Sequence, residues 1–159
     1  MIKILIVYDS RTGNTEKMAL AVAEGVKQVK EAQAIIKKID KTSLEDLMNA
    51  DGIIMGSPTY YGQMSGKLKS FIDESAKIHG KLAGKVGAAF TSSGGTASGA
   101  ETTLLSLLQT MLVHGMIVQG RHDDKHYGAA AVETPSDNEI ESCEGLGKRV
   151  ATLAAKLKS

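Results

Sequence analysis

The sequence is poor in the residues that hold small domains together covalently or through metals. Its 159 residues include a single cysteine, Cys143, and no tryptophan, so an internal disulfide, a CxxC pair and a cysteine-rich zinc site are excluded. No apolar run is long enough to span a bilayer. The 19 Lys and Arg residues nearly balance the 18 Asp and Glu residues, which leaves a net charge of +1. This balance argues against binding nucleic acid through bulk positive charge and against a strongly acidic carrier.

The overall composition is that of an ordinary globular protein, with 42% hydrophobic and 23% charged residues. At this length the sequence predicts one domain over residues 1–159. The chain enters an apolar run at Ile2, with no basic leader and no small-residue cleavage site before it. A secretory signal peptide is therefore not expected, and the protein is expected to be cytoplasmic.

Apolar runs of strand length alternate with segments in which apolar residues recur every three or four positions. The runs predict five strands, over residues 2–8, 34–39, 52–56, 85–91 and 116–119. The recurring residues predict helices whose apolar stripes begin at Met18, Leu44, Met64, Leu104 and Ile140. Residues 120–135 are expected to form a surface loop. This alternation indicates a doubly wound three-layer α/β sandwich with a parallel sheet in the order 2-1-3-4-5, which suits five strands better than the six-stranded dinucleotide fold.

Hydroxyl groups and glycines are concentrated in three loops, over residues 9–16, 56–62 and 91–99. These loops follow the first, third and fourth predicted strands, so they should meet at the edge where such sheets bind their ligands. Competing motifs are absent, because no Gly-Lys pair has the Walker spacing, no GxGxxG follows the first strand and no GxSxG occurs.

The first loop has the composition of a phosphate-binding helix start. Its residues are Ser10, Arg11, Thr12, Gly13, Asn14 and Thr15. Free backbone N–H groups and the positive end of the helix dipole would make an anion site here without a lysine. The alternative is an ordinary helix cap, which needs only one such residue, so a phosphate site is the favoured interpretation. Arg11 either adds its charge to this site or points into solvent.

Two adjacent aromatic side chains, Tyr60 and Tyr61, lie in the second loop and are followed by Gly62. Aromatic residues are only 4% of the chain, so two of them in one loop are informative. One ring is expected to pack in the core, and the other offers a flat face to an aromatic ligand. Gly62 allows the backbone to approach that ligand closely. A phosphate site beside a ring-stacking loop predicts a mononucleotide with a large flat ring, and FMN fits best.

Together these motifs resemble the WrbA branch of the flavodoxin-like proteins. Residues 10–15 are similar to the flavodoxin signature hydroxyl-x-Thr-Gly-x-Thr. Stretches similar to WrbA follow in the same order over residues 56–66, 90–95, 101–103, 114–116, 127–129 and 135–139. The likeness covers nearly the whole chain, although this chain lacks some segments with which WrbA proteins build their tetramer and substrate pocket. It implies FMN as cofactor, NAD(P)H as electron donor, quinones as acceptors and a homo-oligomer, either a dimer or a tetramer.

The resemblance also implies roles for particular residues. The flavin ring would lie between two groups of residues, the first formed by Pro58, Thr59, Tyr60, Tyr61 and Gly62 and the second by Thr91, Ser92, Ser93, Gly94 and Gly95. His114 matches a family histidine that lies near the flavin, contributed across a subunit contact, and would serve there as the catalytic residue. The alternative for His114 is a cap at the C-terminus of a helix, where a cation is favoured.

Two functions stay open from the sequence. One is an NAD(P)H-dependent FMN reductase acting on quinones or similar acceptors, and the other is a non-enzymatic electron carrier between redox proteins. The net charge of +1 favours the enzyme, because a carrier flavodoxin uses an acidic rim. Residues 121–126 hold two histidines and two aspartates, for which a solvated loop, or a lid with Tyr127 over the flavin, is favoured over a metal site. Cys143 lies on the last apolar stripe and is expected to pack there.

Overall fold

The computed structural model describes all 159 residues. The strands are β1 (Ile2–Tyr8), β2 (Ala32–Lys38), β3 (Gly52–Pro58), β4 (Val86–Ser93), β5 (Ile117–Val118) and β6 (Ala129–Val132). The helices are α1 (Asn14–Lys27), α2 (Leu44–Asn49), α3 (Gly66–Glu74), α4 (Ala100–Val113) and α5 (Asp137–Lys158). Two 3-10 turns, Ile39–Lys41 and Ser75–Ile78, follow β2 and α3. The elements alternate as the hydrophobic pattern predicts.

All six strands belong to one sheet, in the order β2-β1-β3-β4-β5, with β6 also paired to β4. Every pair of neighbouring strands is parallel. The predicted order 2-1-3-4-5 and the flavodoxin-like α/β fold are therefore confirmed. Parallel strands place their carboxyl ends at one edge, so the loops that follow β1, β3 and β4 leave the sheet on the same side.

The last position of the sheet is shared by two short strands. β5 pairs with Val86 and Gly87 at the start of β4, whereas β6 pairs with the end of β4, from Phe90 to Ser93. The prediction of one longer strand followed by a loop over residues 120–135 was wrong in this respect. β6 reads Ala-Ala-Ala-Val and buries only two side chains, so its sequence carries little of the β-branched and apolar signal that marks a strand.

Helices cover both faces of the sheet, so the core has two layers. α1 and α5 pack over Ile4 and Ile6 on one face, and α3 and α4 pack over Leu5 and Val7 on the other. Alternate residues of β1 point to opposite faces, which explains why its apolar run is uninterrupted. None of the helices is both long enough and apolar enough to cross a membrane.

Helices α1 and α5 cross at two glycines. A Cβ atom on Gly25 would lie 1.8 Å from the carbonyl O of Glu144, and one on Gly147 would lie 2.0 Å from that of Val22. Both positions therefore require glycine, because any side chain would prevent this close approach. Cys143 lies in the same layer and is fully buried, in agreement with the predicted packing role. This burial raises the pKa of its thiol to about 12.

Candidate functional site

The three hydroxyl-rich and glycine-rich loops meet at the edge of the sheet where β1, β3 and β4 end. The Asp9 N–H donates to the carbonyl O of Gly56 (3.1 Å), which joins the first loop to the second. The Thr59 N–H donates to the carbonyl O of Ser92 (2.7 Å), which joins the second to the third. The hydroxyls of Thr15 and Ser92 are buried and lie 2.8 Å apart, so the first loop also contacts the third.

The loop before α1 concentrates backbone donors at one place. Gly13 precedes the helix with a φ of 94°, a left-handed conformation that favours glycine. The Ser10 hydroxyl is turned inward, and its oxygen accepts the N–H groups of Gly13 (3.2 Å) and Glu16 (3.4 Å). Four further N–H groups find no acceptor within the protein, those of Arg11, Thr12, Asn14 and Thr15. Unpaired donors at the positive end of a helix suit an anion, so this cradle fits the phosphate of a mononucleotide.

Buried hydroxyl groups tie the second and third loops together beneath the surface. The Thr91 hydroxyl donates to the carbonyl O of Ser57 (2.7 Å) and lies 2.8 Å from the Thr59 hydroxyl. The Ser57 hydroxyl donates to the carbonyl O of Pro58 and accepts the N–H of Ser65, both at 2.8 Å. Because these hydroxyls are satisfied within the protein, they hold the two loops in position.

The third loop leaves mainly glycine backbone at the surface. Ser92 and Ser93 are buried, and the Ser93 hydroxyl donates to the carbonyl O of Gly95 (2.9 Å). Gly94 is exposed, and a Cβ atom there would meet nothing within 4 Å. The backbone of Gly94 and Gly95 is therefore more accessible to a ligand than the three hydroxyls that precede it.

The two tyrosines of the second loop lie at a tight turn. Tyr60 and Gln63 exchange both backbone hydrogen bonds, at 2.9 and 3.0 Å. Between them, Tyr61 and Gly62 have φ values of 50° and 74°, the positive values that a two-residue turn of this kind requires. The Tyr61 ring is fully in solvent, and the Tyr60 ring is half-buried with the Arg11 guanidinium 4.9 Å from its centroid. The expectation that one ring packs in the core was wrong, and the Arg11 guanidinium lies over an aromatic face.

Three residues that shape this edge lie in the predicted loops or in the WrbA-like stretch but were not predicted as site residues: Ser57, Ser65 and Gly99. Ser65 is the N-cap of α3, and its oxygen accepts the Leu68 N–H, so a serine before an apolar stripe was a usable signal. Gly99 precedes α4 with a φ of 98°, and a Cβ atom there would lie 2.5 Å from the Cα of Gly62. Nothing local marks Ser57, because its role arises from contacts between separate loops.

His114 lies at the opposite end of α4 from the site. α4 begins beside the third loop, and its 14 residues carry the chain about 21 Å away. The Ser75 hydroxyl donates to the carbonyl O of Ile72 (2.6 Å), so the His114 Nε2–H donates to the Ser75 oxygen (2.7 Å). Burial and the neighbouring His79 lower the pKa of His114, and its Nδ1 is buried with no partner.

The structure therefore does not bring His114 together with the three loops of the same chain. His114 is the C-cap residue of α4. The alternative prediction, a cap at the C-terminus of a helix, is therefore correct about its position. Burial and His79 lower the pKa of His114, which disfavours the cationic form that a helix C-terminus would favour. A contact between His114 and the flavin of another subunit stays a prediction.

The charged residues of the loop between β5 and β6 bind mainly to one another. Arg121 donates to both carboxylate oxygens of Asp123, at 2.6 and 2.8 Å, and this pairing holds the pKa of Asp123 well below its usual range. The His126 Nδ1 lies 2.8 Å from the carbonyl O of Arg121. No group of three His, Cys, Asp or Glu side chains is placed to hold a metal ion. Tyr127 follows with 45% of its surface exposed, and a role as a lid stays a prediction.

Residues 2–123 match the family of NADPH-dependent FMN reductases. A flavodoxin of Aquifex aeolicus is 40% identical, over 96% of this chain and 87% of that protein. An NAD(P)H dehydrogenase (quinone) of Archaeoglobus fulgidus is 36% identical, over 99% of this chain and 100% of that protein. Among solved structures, a flavodoxin, WrbA-like protein from Agrobacterium tumefaciens has a TM-score of 0.85 and 30% identity, over 98% of this chain and 99% of that one.

The matched region contains the three loops and most of the sheet. The family match agrees with two features of these loops: the unpaired backbone donors before α1, which suit a phosphate, and the aromatic turn beside them. The resemblance to flavodoxin-like FMN proteins is thereby confirmed. The chain belongs to the NADPH-dependent FMN reductase family and is an FMN-dependent oxidoreductase with the flavodoxin fold.

Proposed function

We propose that the protein passes electrons from NAD(P)H through bound FMN to a quinone or a similar small acceptor. One observation carries the proposal: four unpaired backbone N–H groups at the start of α1 lie beside the turn of Tyr60 and Tyr61. Donors for a phosphate and an aromatic face for a ring are what binding FMN requires. Relatives named NAD(P)H dehydrogenase (quinone) support this class of donor and acceptor.

In this proposal the phosphate of FMN lies against residues 10–15. The four unpaired N–H groups donate to its oxygens, and the exposed hydroxyl of Thr12 adds another donor. Ser10 acts indirectly, because its oxygen holds the N–H groups of Gly13 and Glu16 and so shapes the loop. Arg11, over the Tyr60 ring, contributes a positive charge beside the phosphate site.

The flavin ring lies, in the same proposal, between residues 58–62 and the backbone of residues 94–95. Bound FMN supplies the redox chemistry, so the task of the chain is to bind, orient and shield it. The turn holds the Tyr61 ring in solvent, where it can cover a flat ligand. The buried bonds of Thr59 and Thr91 keep the two sides of the site at a constant separation.

A second candidate is a non-enzymatic electron carrier. The Aquifex aeolicus flavodoxin is 40% identical over 161 aligned positions, close to the length of this chain. The match to the quinone dehydrogenase of Archaeoglobus fulgidus extends over 191 positions, so that protein has segments that this chain lacks. The shorter length favours the carrier, whereas the family favours the enzyme.

We also propose that the chain forms a homo-oligomer, either a dimer or a tetramer. α4 exposes Leu105, Leu112 and Val113 by 37%, 60% and 71%, and exposed apolar side chains on one element are typical of a contact surface. His114 follows Val113 directly, so a subunit contact along α4 would be the route by which it meets a neighbouring chain. The cytoplasmic location stays a prediction.

The test is NADPH oxidation by the FMN-loaded protein with benzoquinone, compared with free FMN at the same concentration. Turnover well above the free-flavin rate supports the enzyme. No turnover, together with a reductive titration that resolves two one-electron steps, supports the carrier. A folded protein that stays colourless after incubation with excess FMN overturns both candidates.

A further inference from the structure

A cavity of about 240 Å³ lies beneath the loop between β5 and β6. Apolar side chains from the sheet edge, α4, α5 and the loop line it: Ala88, Leu108, Val118, Tyr127 and Leu146. None of its lining residues belongs to the three loops of the flavin site. An apolar cavity of about 150 Å³ can hold benzene, so this one has room for a single ring with a substituent.

The backbone of the loop keeps this cavity open. A Cβ atom on Gly128 would lie 2.1 Å from the carbonyl O of Ala89, so only glycine lets the loop return to β4 at this point. Within the loop, the Arg121 N–H donates to the carbonyl O of His126 (3.3 Å), and the Gly128 N–H donates to that of Lys125 (3.1 Å). The walls are therefore in place before any ligand arrives, which favours binding.

Arg149 of α5 is the one Lys, Arg, Asp or Glu side chain that lines the cavity. It is half-buried and forms no hydrogen bond or ion pair with a protein group. The nearby carboxylate of Asp123 is occupied, because Arg121 binds both of its oxygens. Burial lowers the pKa of Arg149, and Arg121 lowers it further. A partly buried guanidinium without a partner is an unfavourable arrangement that a bound carboxylate would relieve.

The same arginine also lines a polar groove of about 950 Å³ along α5. Five Lys and Arg side chains line this groove against three Asp and Glu side chains. Asp123 neutralises Arg121, and the small excess of positive charge that remains attracts anions to the groove. Arg149 and Gln119 line both spaces, so they stand where the charged groove meets the apolar cavity.

We infer that this cavity is a second small-molecule site, which binds an aromatic carboxylate with one ring. The ring packs among Leu108, Tyr127 and Leu146, where it buries apolar surface. The carboxylate pairs with Arg149, whose planar fork matches its two oxygens. No lining residue belongs to the three loops that would hold FMN, so this ligand is distinct from the electron donor and the electron acceptor. Tyr127, packed in the wall of this cavity, is then not a lid over the flavin.

The test is a titration of the FMN-loaded, nitrogen-15-labelled protein with benzoate, followed by amide chemical shifts. Benzoate is expected to shift the amides of residues 119–128 and 145–149 and to leave those of residues 10–15 unchanged. Benzamide, which has the same shape without the charge, is expected to bind at least about tenfold more weakly. Shifts confined to the flavin loops, or no shifts at millimolar benzoate, overturn the inference.

Two variants separate the specific pairing from the general charge of the groove. Arg149→Gln is expected to weaken benzoate binding by about tenfold or more. Lys148→Gln removes the same charge from the neighbouring groove position and is expected to weaken it less than about twofold. Equal weakening by both variants overturns the inference. Arg149→Lys, with the charge but without the fork, is expected to fall between wild type and Arg149→Gln, and circular dichroism checks that each variant is folded.

Discussion

Asn14 is the first residue of α1, and Asn14→Asp adds a negative charge at the proposed phosphate site without changing the shape of the side chain. The Asn14 side chain is half-buried and makes no hydrogen bond, so the substitution breaks no contact. The new carboxylate interacts favourably with the helix dipole, by about 0.3–1 kcal/mol. The free energy of unfolding is therefore expected to stay the same or to rise slightly.

The affinity for FMN is expected to change in the opposite direction. The phosphate carries a charge of about −1.5 to −2. At a separation of about 5 Å, a carboxylate repels it by about 1 kcal/mol in water and about 5 kcal/mol at an effective dielectric constant of about 20. Even the smaller value weakens binding by about fivefold. Riboflavin has the same ring without the phosphate, so its affinity is expected to be unchanged.

Quenching of flavin fluorescence measures both affinities, and urea unfolding measures the stability. Asn138→Asp is the matched control, since Asn138 lies in the first turn of α5 and the same charge is added at a helix N-terminus outside the site. The control is expected to bind FMN and riboflavin as the wild type does. The reasoning is refuted if Asn14→Asp keeps its full affinity for FMN, or if it loses affinity for riboflavin to the same extent.

Three further predictions concern the fold and its buried polar groups. Gly147→Ala places a Cβ atom 2.0 Å from the Val22 carbonyl O and is expected to lower the free energy of urea unfolding by about 1–3 kcal/mol, whereas Gly145→Ala in the same helix is expected to raise it by about 0.5–1 kcal/mol. Because burial lowers the pKa of His114, its contribution to stability is present above about pH 6.5 and is lost as the pH falls through the lower folded-state pKa. His114→Gln should therefore reduce the loss of stability on acidification, and an unchanged pH dependence would contradict this. Thr91→Val removes a buried donor and is expected to cost about 1–3 kcal/mol, so an unchanged melting temperature would show that its bonds contribute nothing.

The candidate site could be predicted only in part. Residues 10–15 were recognisable because a helix N-terminus and the loop before it are contiguous, so the free N–H groups follow from helix geometry alone. Thr91 and Ser92 were predicted as flavin contacts, but their hydroxyls lie 2.8 Å from those of Thr59 and Thr15, respectively. The sequence does not distinguish a hydroxyl that binds a ligand from one that bonds to another loop. Which of the two a given hydroxyl does is therefore known only from the folded structure.

The sequence alone was enough to predict the alternation of strands and helices, the parallel sheet and the edge where the three loops meet. These features depend on hydrophobic periodicity and turn composition, which are properties of short segments. Three other features became visible only in the folded structure: β5 and β6 share the last sheet position, Tyr60 lies beneath Arg11, and His114 ends α4 far from the site of its own chain. Each of these depends on contacts between residues that are distant in the chain, because packing between elements overrides what local propensity indicates.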